Sequence, residues 1–93
     1  MDANEARTIL KERLARYREY PHEQLAQLVG SVEVEERRGQ AGTPYQLEFE
    51  FVWDARPGGN VRVIGGIDDG GLRAFFPLTD AFIKAPDGSF VGE

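Results

Sequence analysis

The sequence predicts an α+β fold: two N-terminal helices packed on one face of a four-stranded, mainly antiparallel meander sheet, closed by a short docked C-terminal element. Three observations predict it. Apolar residues recur at helical spacing over 3–20, they alternate with polar residues from 31 onward, and Gly-rich or Asp-Gly turns separate the alternating runs. The 93 residues fit a single domain, 1–93, with no change of composition that would mark a linker. Seven of the ten aromatic residues follow residue 48, which places most of the core in the sheet half.

Asp2, three residues before Glu5, resembles a capping box in which a carboxylate replaces the usual hydroxyl. The helix that follows, at about 3–19, sets Ala3, Ala6, Ile9, Leu10, Leu14, Tyr17 and Tyr20 in one broad arc, the width of a helix lying on a sheet. Glu5, Glu12 and Glu19 line one edge of that arc and Arg7, Lys11 and Arg18 the other, which reads as a solvated charged rim. Pro21 cannot continue this helix but suits the first turn of a second, at about 21–29. Leu25, Leu28 and Val29 turn inward there, and Gly30 ends it as a left-handed cap. His22, in the first turn, reads as a polar surface or capping group rather than a catalytic base.

Strands are expected at about 31–38, 45–53, 61–67 and 72–76. In the first, Val32 and Val34 alternate with Glu33 and Glu35. In the second, Leu47, Phe49, Phe51 and Trp53 share one face. Pairing Phe51 with Val63 and Phe49 with Gly65 keeps the apolar faces of the second and third strands together. Asp69-Gly70 suits a tight hairpin turn because both central positions tolerate positive φ, so Ile67 is expected opposite Leu72, Gly65 opposite Ala74 and Val63 opposite Phe76. Beyond Pro77, Thr79-Asp80 reads as the cap of a one-turn helix through Lys84, or the segment as a small hairpin turning at Ala85-Pro86-Asp87-Gly88.

The outer face of this meander is the candidate interaction face. Glu33, Glu35, Glu48 and Glu50 are expected to gather there on adjacent strands, carboxylate opposite carboxylate, a destabilising arrangement that calls for relief. Arg73, lying across Gly66, is expected to reach Glu48, and Arg62 to reach Glu50. Val52, Ile64 and Phe75 would add an apolar strip, covered by Phe82, Ile83 or Phe90 of the tail or else by a second copy of the chain.

Catalytic and metal chemistry have little to work with. There is no Cys and one His, no Asp-x-Asp-x-Asp-Gly loop, no nucleophile elbow and no phosphate-binding glycine loop, so we expect no cofactor and no metal. The net charge is −5, and residues 44–93 carry four Lys or Arg against eight Asp or Glu, which argues against a nucleic-acid partner. No signal-peptide pattern or membrane-length apolar run is present, which points to a cytoplasmic protein with no membrane partner. The resulting expectation is a non-catalytic binding or accessory protein whose partner is another protein or a second copy. The alternative is a small-molecule-binding or catalytic domain with a pocket over Gly65 and Ala74, walled by Tyr17, Tyr20, Phe49 or Trp53.

Overall fold

The computed structural model describes residues 1–71 and 77–93. Its elements are α1 (Ala3–Arg18), α2 (His22–Leu28), β1 (Val32–Arg38), β2 (Pro44–Asp54), β3 (Asn60–Asp68) and β4 (Leu78–Lys84). The four strands make one antiparallel sheet in sequence order, and both helices pack against it. Among the described residues no helix is long and apolar enough to cross a membrane.

Helix α1 starts where Asp2 accepts the Glu5 N–H at 3.0 Å. Only half of the capping box forms. The Glu5 carboxylate accepts instead from the Tyr45 hydroxyl at 2.8 Å and the Gln40 N–H at 3.0 Å, tying the helix start to the β1–β2 hairpin. At the other end, buried Lys84 of β4 donates to the carbonyls of Arg18 and Tyr20, both at 2.8 Å. A cation on the last carbonyls satisfies groups the helix itself leaves unpaired and opposes its dipole. Pro21 then holds extended backbone as the N-cap of α2, and Gly30 at φ 91 turns the chain into the sheet.

The core follows from strand alternation. Tyr45, Leu47, Phe49 and Phe51 of β2, Val61, Val63 and Ile67 of β3 and Phe82 of β4 are buried beneath Ala6, Ile9, Leu10, Leu14, Tyr17 and Leu25 of the helices. The Tyr17 ring sits 5.1 Å from Phe49 and 5.2 Å from Phe51, at tilted and edge-on angles that favour aromatic pairs. Phe51 faces Val63 and Phe49 faces Gly65, as the two apolar faces require. A Cβ on Gly65 would lie 2.8 Å from Leu10 Cδ1 and 3.0 Å from Phe49 Cε1. The missing side chain is what lets α1 lie this close. The space over Gly65 is therefore packed by Leu10 and Phe49, and Tyr17 and Phe49 are core residues there.

The third hairpin differs from the expectation. Residues 72–76 lie outside the described residues, but both sides of β3 are already paired, with β2 on one side and β4 on the other. The partners of Val63, Gly65 and Ile67 are Phe82, Asp80 and Leu78, in place of Phe76, Ala74 and Leu72. The Asp-Gly turn is present: Gly70 has φ 86, and the N–H groups of Gly70 and Gly71 bond the carboxylates of Asp68 and Asp69 at 2.9 and 3.1 Å. It opens a longer connection rather than a two-residue hairpin. The pairing that wins buries Phe82 and delivers Lys84 to the end of α1. Thr79–Lys84 is accordingly strand, not helix, and it continues as a small hairpin through Ala85–Gly88 to an antiparallel bridge between Lys84 and Phe90.

Candidate interaction face

Helix α1 rests on β3 and β4, and α2 on β2 and β3. Strand β1 projects past the helices, and α1 reaches it with two long polar side chains. Arg13 Nε donates to Glu35 at 2.7 Å, and the Tyr17 hydroxyl donates to Glu33. The Arg13 guanidinium lies 5.2 Å from the Tyr17 ring centre and 5.3 Å from that of Phe49, with 12% of its side chain exposed. Burial works against this charge, but Glu35 and Tyr17 together outweigh it and raise the guanidinium above its usual value. Burial, reinforced by the Glu33 carboxylate, pushes the Tyr17 phenol up to about 12. Tyr45 is pushed up to about 12 in the same way, by burial and then Glu5.

This network reverses the expected orientation of β1. Glu33 and Glu35 face the helices, opposite Phe49 and Leu47, while Val32 and Val34 face outward beside Glu50 and Glu48 at 53% and 58% exposure. The carboxylate-against-carboxylate array does not form, because each outward glutamate of β2 has a valine as its neighbour on β1. Alternation of Val and Glu is symmetric under a one-residue slip, so it carries no information on which set turns inward. The available signal was on the helix: Arg13 and Tyr17, one turn apart, present a cation and a donor at the height of β1.

Glu48, Glu50, Val52, Arg62 and Ile64 do share the outer face. Arg62 pairs with Asp54, at 2.8 Å, rather than with Glu50. Asp54 is the last residue of β2 and faces Asn60, close enough for the arginine to fold along its own strand end. Arg73 and Phe75 lie outside the described residues, so the expected Arg73–Glu48 contact falls there too. Phe82 and Phe90 do not cover this face: Phe82 is in the core, and Phe90 stacks on it at 5.9 Å and lies under Arg18 at 3.9 Å. Ile83 stands on the outer face beside Arg62.

The resulting surface has three cross-strand rows. One reads Val32, Glu50, Ile64, Ala81; the next Val34, Glu48, Gly66, Thr79; and on the other flank Val52, Arg62, Ile83. Gly66 makes a depression of about 170 Å³ lined by Glu48, Glu50, Ile64, Asp68, Pro77 and Thr79. A larger open groove of about 440 Å³ lies between the start of α1 and the end of β1, with Glu5, Glu12, Arg37 and Arg38 on its walls. Among the described residues no three His, Cys, Asp or Glu side chains converge as they would on a metal ion. His22 Nε2 meets the Gly59 carbonyl at 2.7 Å and fastens the β2–β3 loop to α2.

The chain matches no protein-family model, no curated protein and no solved structure, so its assignment rests on this geometry.

Proposed function

We propose that this is a small, acidic, cytoplasmic, non-catalytic binding or accessory protein that engages a protein partner through the outer face of its sheet. The observation that carries the reading is the reversed β1. The strand turns two glutamates inward onto Arg13 and Tyr17 and leaves two valines exposed on the face that also carries Val52 and Ile64, with Glu48 and Glu50 set among them. Exposed apolar side chains collected on one sheet face, with charged groups beside them, are the composition of a protein-binding surface. The packed space over Gly65 supports this reading over a ligand pocket between helix and sheet.

A photo-crosslinking residue at Glu48 tests it, with one at exposed Arg16 on α1 as the control. The expected result is a discrete adduct from position 48, absent from position 16 and lost on Ile64→Glu with the circular dichroism spectrum unchanged. Equal labelling from both positions, or an adduct that survives Ile64→Glu, overturns the reading.

A further inference from the structure

The two outer strands of the sheet, β1 and β4, end it in different ways. Along β4 the free side is closed. The Ala81 N–H bonds the Asp80 carboxylate at 2.8 Å, the Ile83 carbonyl accepts from the Val91 N–H at 2.9 Å, and the chain folds back to bridge Lys84 with Phe90. Along β1 nothing comparable occurs among the described residues. The Gly39 N–H donates to the Thr43 carbonyl at 2.9 Å, which marks that facing pair as hydrogen-bonded. Bonded positions recur every second residue in an antiparallel ladder, so Arg37, Glu35 and Glu33 also direct their backbone groups at β2. Val32, Val34, Glu36 and Arg38 therefore direct N–H and C=O away from the sheet, and among the described residues no side chain or backbone group bonds them. Pro44 agrees with this phase: it faces Arg38, where the ladder asks for no N–H.

An open edge of this length is a template for another strand. The sequence of β1, Val-Glu-Val-Glu-Glu-Arg-Arg, says which strand fits it. Its first part is acidic and its last two residues are basic, so antiparallel pairing with itself sets opposite charges across the junction. In the register that pairs all seven residues, Glu33 faces the partner's Arg37 on the helix side, and Arg37 faces the partner's Glu33. On the outward side, Val32 lies against the partner's Arg38 and Val34 against the partner's Glu36, whose aliphatic stems cover the valines. Glu35 meets its own copy on the axis, but Arg13 at 2.7 Å already neutralises it within each chain. A parallel arrangement in register would instead set Glu33, Glu35 and Glu36 each against their like.

We infer that β1 is a self-pairing edge, and that two copies of this chain join antiparallel through it into one continuous eight-stranded sheet about a two-fold axis. The contact is isologous, each chain giving the same strand. It takes Val32 and Val34, at the border of the outer face proposed above, under the partner's side chains and sets the rest of two such faces side by side. Strand pairing alone buries less than a standard interface, so the dimer is a reversible, concentration-dependent one.

Sedimentation equilibrium of the full chain over a hundredfold concentration range tests it. The expected result is a rise from the 10.4 kDa monomer towards twice that mass. Arg37→Glu and Glu33→Arg should each abolish the rise, and an equimolar mixture of the two variants should restore it, because each supplies the charges the other needs. Amide exchange on the unaltered chain gives a second reading that needs no variant: Val34 and Glu36 should gain protection as concentration rises, while exposed amides elsewhere do not. A monomer at every concentration overturns the inference. So does a dimer that persists in Arg37→Glu, or one that is lost in Ile64→Glu but not in Arg37→Glu, since either places the contact elsewhere.

Discussion

Strands β1 and β4 border the same sheet, yet α1 packs on one and reaches the other only with polar side chains. β4 lies under α1, buries Phe82, sends Lys84 into the end of the helix and is closed off by its own tail. β1 lies beyond the helices and is drawn towards α1 by the polar side chains of Arg13 and Tyr17. The difference teaches where a small α+β domain can carry an interface: at the strand its helix reaches but does not cover. Stability is concentrated on the β4 side, and exposed apolar surface with free backbone groups on the β1 side.

The comparison can be broken most severely at Lys84. Lys84→Ala removes two charge-assisted hydrogen bonds to the Arg18 and Tyr20 carbonyls and should lower unfolding stability by about 3 kcal/mol, read as a lower urea midpoint. Next comes Glu35→Ala, which leaves the Arg13 guanidinium stacked on Tyr17 without its carboxylate. A cost of about 1–3 kcal/mol is expected, with Arg13→Met, Glu35→Ala together recovering part of it because an apolar stem can occupy the same slot. An Arg13 that contributes only as a surface ion pair would instead show a loss of about 0–1 kcal/mol.

The pH dependence sharpens the comparison further. Tyr17 and Tyr45 have folded-state phenols raised from their ordinary value to about 12, so folding favours the protonated form. The stability they contribute is fully present below pH about 10 and is lost as pH rises through about 12. Absorbance at the phenolate band should show two late-titrating tyrosines, one removed by Tyr17→Phe and the other by Tyr45→Phe. Titration of both at the ordinary tyrosine value would contradict the burial described here. The smallest effect belongs to the exposed side of β1: Val34→Thr should change stability by less than about 0.5 kcal/mol, while replacing a residue of the proposed interface.

Much of the architecture was legible because period and turn chemistry agree. The arc of α1, the Pro21 break, the inward aromatics of β2 and the Phe49–Gly65 register all follow from side-chain size and spacing. The third hairpin was misread because Asp69-Gly70 is equally good at starting a longer excursion, and nothing local distinguishes Leu72 from Leu78 as the partner of Ile67. That choice is made by burial of Phe82 and by the end of α1, both remote in sequence. The orientation of β1 was illegible for a different reason. Valine is the ordinary inward residue of a Val-Glu strand, and only Arg13 and Tyr17, some twenty residues earlier, reverse it. For the candidate face the consequence is an exchange of members, with Glu33 and Glu35 leaving it and Val32, Val34 and Ile83 joining.

The order of the elements along the chain has a consequence for synthesis. β1 to β4 are each paired with the next, so the sheet can grow strand by strand as the polypeptide lengthens. Helix α1 is made first, but its platform is β3 and β4, which are made last, and the lysine that caps it stands at position 84. During elongation the apolar arc of α1 therefore waits without its cover while most of the chain is produced. The cover of that arc is complete only once β4 is in place beneath the helix.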